Sequence, residues 1–148
     1  MKVDLTVAGY IFNDNKLLLI HHNKLNRWLP VGGHIEKDEV PDDALRREIK
    51  EETNLDIEIL NSTGIKEVGS TKRNLKTPFY VNVHSVGDHD HCCFFYICKA
   101  LNSEDLKINN ELRNYKWFSE ADLSDDYISP DVKEIATEAF KLIKNPAS

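Results

Sequence analysis

Apolar and polar positions change period several times along this chain, and each change marks an element. Residues 3–12 (V-D-L-T-V-A-G-Y-I-F) are β-branched and aromatic with partial alternation, which predicts a strand. Asn13-Asp14-Asn15 is a turn signal, and Lys16 to His21 reads as a second strand, so the two predict a hairpin. Leu17 to Ile20 are consecutively apolar, as in a strand buried on both faces. Asn23 to Asn26 is a polar loop leading to Trp28, and a strand-like run follows into the glycine pair Gly32-Gly33. From Pro41 the period turns helical, with Leu45 and Ile49 on one stripe. Leu55, Ile57 and Ile59 then alternate with Asp56 and Glu58, a half-exposed strand. Asn61 to Lys76 reads as strand ends and a loop. Phe79 to Val86 and Cys92 to Lys99 predict a second hairpin, and Leu101 to Asn110 a loop. Tyr115 to Phe118 is a short strand, and Ser119 to Asp122 has capping-box spacing for a short helical turn. Ser129-Pro130 opens a last helix whose apolar face is Val132, Ile135, Ala136, Ala139, Phe140 and Ile143, with Asn145-Pro146 as its stop. Strands on either side of two amphipathic helices predict an α/β protein. No repeat interrupts it, so a single domain over 1–148 is expected.

The first helix carries the candidate chemistry. Pro41 suits a first helical turn, and Asp42 and Asp43 place negative charge at the positive end of the helix dipole. Glu48, Glu51 and Glu52 follow at i, i+3 and i+4, so three carboxylates share one face beside the apolar stripe, while Arg46 and Lys50 point to water. Such a face is either a solvated acidic surface or the seat of a hard cation that relieves the mutual repulsion.

The wider pattern resembles the Nudix hydrolase box, G-x5-E-x7-R-E-U-x-E-E-x-G-U, where U is bulky and aliphatic. Gly33, Glu39, Arg47-Glu48-Ile49, Glu51-Glu52 and Leu55 match it. One position departs: Asn54 stands where the family has Gly. That residue ends the helix in the left-handed region, which Asn tolerates next best. The resemblance implies an α/β/α sandwich, with a mixed central sheet between the box helix and the C-terminal helix. It implies a metal-dependent pyrophosphohydrolase that cleaves a nucleoside diphosphate linked to another group by water attack on phosphorus. A nucleoside triphosphate or nucleotide sugar is favoured. Carried over residue by residue, Glu48, Glu51 and Glu52 are ligands for Mg²⁺ or Mn²⁺, and the Gly32 carbonyl is a further one. Arg47 and Glu39 pair to orient them. The general base is either Glu48 or a later acid, for which Glu111 is the candidate, with His89 and Asp90 as outsiders. Glu36 resembles a position that is often acidic and is expected to face the metals and the bound substrate. A non-catalytic nucleotide-binding sensor on the same fold would be expected to have lost box carboxylates, and all three are present. A diphosphate isomerase is the remaining enzymatic alternative.

Composition narrows the partners. A net charge of −6 argues against a broad nucleic-acid surface and leaves a small phosphorylated nucleotide as the expected partner. Arg27, in the cluster with His21, His22 and Lys24, is the best candidate for substrate phosphates, because its planar fork matches phosphate oxygens. Lys72 and Arg73 are weaker candidates on a solvent-exposed turn. Met1-Lys2-Val3-Asp4 lacks the apolar core of a signal peptide, and no apolar run is long enough for a bilayer, so a cytoplasmic protein without membrane contact is expected. A homodimer is left open. Cys92, Cys93 and Cys98 are odd in number and lie in one strand, which predicts reduced thiols. His84, His89 and His91 cluster with Asp88 and Asp90. They match no zinc spacing and lack an evident fourth ligand, so a polar cleft wall or hairpin surface is the expectation, with His89 facing substrate.

Overall fold

The computed structural model describes residues 1–145; Pro146, assigned to the helix stop, lies outside them. Among the described residues there are eight strands and two helices: β1 (Val3–Asn13), β2 (Lys16–His22), β3 (Trp28–Leu29), β4 (Val31–His34), α1 (Pro41–Thr53), β5 (Ile57–Ile59), β6 (Tyr80–Ser85), β7 (Asp90–Ala100), β8 (Leu112–Phe118) and α2 (Pro130–Lys144). Short 3₁₀ turns occupy Ser103–Asp105 and Ala121–Ser124. At the second of these, the Ser119 amide donates to Asp122 Oδ2 at 2.9 Å and the Asp122 amide to Ser119 Oγ at 3.3 Å, a reciprocal capping box.

The sheet is mixed. β1 pairs in parallel with β7 along ten positions, from Val3↔Asp90 to Phe12↔Lys99, and every other pairing is antiparallel. The β1–β2 hairpin pairs only at its turn end, from Ile11↔Leu18 to Asn13↔Lys16. The strands then diverge, each keeping its outer partner, β7 on β1 and β8 on β2. The opened wedge is filled by β4 on Thr6 to Gly9 of β1 and by β3 on Ile20 and His21 of β2. That wedge is what carries the glycine pair to the centre of the molecule.

Alternation sorts the core into two layers. Val7, Ile11, Leu18, Ile20 and Val31 face α1 through Ala44, Leu45 and Ile49. Ala8, Tyr10, Phe12, Leu17, Leu19 and Phe95 face α2 through Val132, Ile135, Ala136, Ala139 and Phe140. Leu17 to Ile20 are buried on both faces, as their consecutive apolarity predicts. The architecture is the expected α/β/α sandwich. Trp28 packs edge-on between His21 and Phe118, at centroid distances of 5.1 and 5.2 Å, as a partly buried aromatic at the core's margin.

Three local readings change. β8 begins at Leu112, earlier than Tyr115, because Leu112 is buried against the α1 layer and pairs with His22 past a bulge. Residues 60–79 hold no regular element. They are instead tied to the first turn of α1, where buried Asp42 accepts from the Lys76 amide at 2.9 Å and Asp43 pairs with Arg73 at 2.7 Å. Arg73 thus pairs with the first turn of α1. Arg46, read as pointing to water, donates to the Ile57 carbonyl at 2.8 Å and so ties α1 to β5. All three cysteines are free, and burial pushes the Cys93 thiol up to about 11 and Cys98 higher still. Among the described residues no helix is long and apolar enough to cross a membrane.

Candidate active site

α1 stops where the site needs it to. Asn54 adopts φ 63° and ψ 13°, and its amide donates to the Lys50 carbonyl at 2.9 Å, a left-handed cap. Its side chain also donates to the Asp105 carbonyl at 3.1 Å, a tie that Gly in the same position lacks. The loop before β8 docks on the same end: the Asn109 amide meets the Glu52 carbonyl at 3.1 Å, and the Glu111 amide donates to Asn109 Oδ1 at 3.1 Å. Glu111 thus stands beside the last turn of α1.

Arg47 gathers the acidic face. Its Nε and Nη2 donate to Glu39 at 2.9 and 3.0 Å, a bidentate pair, and Nη2 also reaches the His34 carbonyl at 3.0 Å. Its Nη1 donates to Glu48 Oε1 at 2.9 Å and to Glu51 Oε2 at 3.4 Å. The Glu36 amide completes the collar on Glu39 at 3.0 Å, while the Glu36 carboxylate lies exposed, 3.7 Å from Arg47. These bonds hold the Glu39 carboxyl down at about 2, with the Arg47 hydrogen bonds as the main cause, and Arg47 is raised in turn. The loop after β4 is in this way clamped to α1.

Glu48 and Glu52 look into the groove between α1 and β4. Glu48 is the more enclosed partner of Glu51, with side-chain exposures of 18% and 58%. Burial raises the Glu48 carboxyl above its usual range against the pull of Arg47. Glu52 is pushed up to about 8 by burial and then by the charge of Glu48; the Gly32 amide opposes this, and Glu111 and Glu51 add to the repulsion. A strand residue turns its N–H and C=O to the same side, so the Gly32 carbonyl also faces this groove. Glu52 Oε1 is buried without a hydrogen-bond partner. An added Cβ at Gly33 would lie 2.3 Å from Glu48 Cδ, so this glycine is the floor on which the carboxylate rests.

These features fit a hard divalent cation. The donors are all oxygens, they repel one another without one, and one buried oxygen lacks any partner. The pH dependence follows with its sign. A carboxyl raised in the folded state contributes stability below its unfolded value and loses it as pH rises through the folded one. The metal-free protein therefore loses stability from pH 4.5 to about 8 on account of Glu52. Glu39 does not offset this, since its contribution is complete above the usual carboxylate range. Chemical denaturation across this window should show the slope in the native protein, a smaller one in Glu52→Gln, and a flattened one with Mg²⁺. An equal slope in the native protein and the variant would remove the assignment.

On the other side of β4 lies a cleft of about 440 Å³, lined by Thr6, Tyr10, Arg27, Leu29, Phe95 and Ile135 among others. Its size falls within the range of small-molecule sites. Thr6 Oγ1 and Tyr10 Oη are buried and unpartnered at its wall. Arg27 stands exposed at its edge. His34, His84 and His91 belong to this wall, but His89 does not; it turns toward Asp4, Asp88 and His91. Burial, then the neighbouring His34, His84 and His89, holds His91 below the ordinary histidine value. Asp4 and His34 approach these histidines although neither stands in a spacing that signals chemistry.

The family assignment rests on more than the box. The NUDIX domain profile matches residues 2–139. The solved structure of a Nudix-family hydrolase from Clostridium perfringens is 31% identical, with 97% of this chain and 99% of that one covered at a TM-score of 0.86. A MutT protein from Methanosarcina mazei Go1 (16% identity, 97% and 96% covered, TM-score 0.72) and a C. elegans Ap4A hydrolase (16%, 95% and 97%, 0.74) share the fold. The chain belongs to the Nudix hydrolase family. It is a hydrolase of pyrophosphate bonds, of the kind found in nucleoside diphosphate derivatives.

Proposed function

We propose that this enzyme hydrolyses the phosphoanhydride of a nucleoside triphosphate or nucleotide sugar, using Mg²⁺ or Mn²⁺ held by Glu48, Glu51, Glu52 and the Gly32 carbonyl. The observation that carries the reading is Glu52: a half-buried carboxylate, crowded by three others, with an oxygen that no protein group satisfies. When bound, the ion neutralises phosphate charge and lowers the pKa of the attacking water. Arg47 fixes the direction of Glu48 through Nη1, and Glu39 holds Arg47 in place. Glu111 takes the proton from the attacking water on its carboxylate. It is preferred to Glu48 because Arg47 already engages Glu48, whereas Glu111 has no ion pair among the described residues and lies close enough to raise Glu52. Arg27 receives the outer phosphate at the cleft edge, and the partly exposed Leu29 in the cleft wall packs on the base.

The cleft volume falls within the range of small-molecule sites, which supports a nucleotide-sized substrate. The C. elegans Ap4A hydrolase and a UDP-X diphosphatase share the fold and define the other members of the panel to be tried. Product release from nucleoside triphosphates, nucleotide sugars, ADP-ribose and dinucleoside polyphosphates, each with Mn²⁺ and with excess chelator, tests the proposal. Activity should concentrate on the first two groups and vanish with chelator. Full turnover in chelator would refute the metal-dependent reading.

A further inference from the structure

We propose that Asp4, His34, His89 and His91 form a binding site for a Zn²⁺-type transition-metal ion, separate from the carboxylates of α1. Four distant stretches of chain build it. Asp4 on β1 lies in register with His91 on the adjacent parallel β7. β4 brings His34 to the other edge of β1, opposite Thr6, and the residue before β7 contributes His89. Asp4, Thr6, His34 and His91 belong to the α2 face of the sheet, by their alternation with Ala8, Tyr10 and Cys93. Glu48 and Gly33 meet on the opposite, α1 face. This supplies the fourth ligand that the histidine spacing alone lacks.

Three of the six donor–donor separations match the edges of a coordination tetrahedron. Zn–N bonds of 2.0–2.1 Å in a tetrahedron imply ligand-to-ligand edges of about 3.3 Å. Asp4 Oδ2 lies 3.2 Å from His34 Nε2 and 3.4 Å from His89 Nε2, and His89 Nε2 lies 3.2 Å from His91 Nε2. All four donor atoms fall within 4.8 Å of one another. Three imidazoles and one carboxylate favour Zn²⁺ over Mg²⁺, which prefers an all-oxygen shell.

Hydrogen bonding alone leaves a conflict that a cation removes. His89 Nδ1 faces Asp88 Oδ1 at 2.7 Å, while its Nε2 faces Asp4 Oδ2. A neutral ring carries one proton and can satisfy only one of these carboxylates. With the proton on Nδ1, shared with Asp88, the Nε2 lone pair points at an anion. This is the arrangement of a metal-bound histidine oriented by an outer carboxylate. A protonated His89 would also resolve the conflict, and the experiment separates the two.

The test titrates Co²⁺, then Zn²⁺, into the full chain stripped with chelator, and follows visible absorption. A four-coordinate nitrogen-rich site gives intense Co²⁺ bands, whereas an all-oxygen octahedral site gives weak ones. The expected result is one equivalent of intense bands, displaced by Zn²⁺, retained in Glu52→Gln and abolished in His91→Ala and His34→Ala. Asp88 is exposed and its replacement spares the fold, so Asp88→Asn should still bind, with Zn²⁺ affinity lowered about 10- to 100-fold. Absence of intense bands in the native protein, their persistence in His91→Ala, or their loss in Glu52→Gln would each overturn the proposal.

Discussion

Replacing Glu52 with Gln lowers turnover by about 100-fold or more and leaves the fold intact. A lost ligand forfeits several kcal/mol of charge stabilisation, and each 1.4 kcal/mol is a tenfold change in rate. The fold survives because the carboxylate contributes little to it in the absence of metal. Burial and Glu48 raise it, and a neutral amide of the same shape relieves that repulsion while still accepting from the Gly32 amide. Steady-state rates beside thermal melts check both halves. Glu58→Gln, on the exposed side of β5, is the control and should alter neither. Near-native turnover in Glu52→Gln would end the case for this carboxylate as a ligand.

The two adjacent glycines should fail in different ways when each is changed to Ala. At Gly32 the new Cβ would meet the Val7 carbonyl oxygen at 2.1 Å and Ala8 Cα at 2.8 Å, both backbone. Backbone cannot turn aside, so β4 must move off β1. Gly32→Ala should cost about 3 kcal/mol, the upper range for overpacking, and lower Tm by about 6–12 °C. At Gly33 the obstacle is the Glu48 carboxyl, the far end of a flexible side chain. Gly33→Ala should keep stability within about 1 kcal/mol. It should cost about 100-fold in turnover, because Glu48 swings away from Arg47 and out of position. Melting curves and rates on the same two proteins separate these outcomes. Equal losses of stability in both would show that the glycines serve only strand packing.

Much of this was readable from the chain because local chemistry and tertiary structure agree. Pro41, Asp42 and Asp43 sit at the start of α1, and Asn54 takes the left-handed cap that its place in the box demands. The Glu39–Arg47 pair, expected from the resemblance, forms across eight residues of sequence. What escaped is what only long-range pairing creates. Asp4 and His34 show no motif, and they reach His91 solely through the β1–β7 and β1–β4 registers. Asp42 looks like a dipole residue, yet it is also the buried anchor for Lys76, because the loop it holds has no periodicity to announce where it packs. Asn61 to Lys76 reads as strand ends and a loop, and only the loop forms: apolar content without a partner strand does not make a ladder.

The parallel β1–β7 ladder has a consequence for how the molecule is made. It joins residues as far apart in the chain as Val3 and Asp90, so the middle of the sheet cannot close until most of the polypeptide has left the ribosome. Until then one long margin of the first strand stands bare, with Val7 and Ile11 beside it, inviting edge-to-edge association. A chain cut short before Asp90 should therefore accumulate as aggregate, whereas the full chain stays soluble.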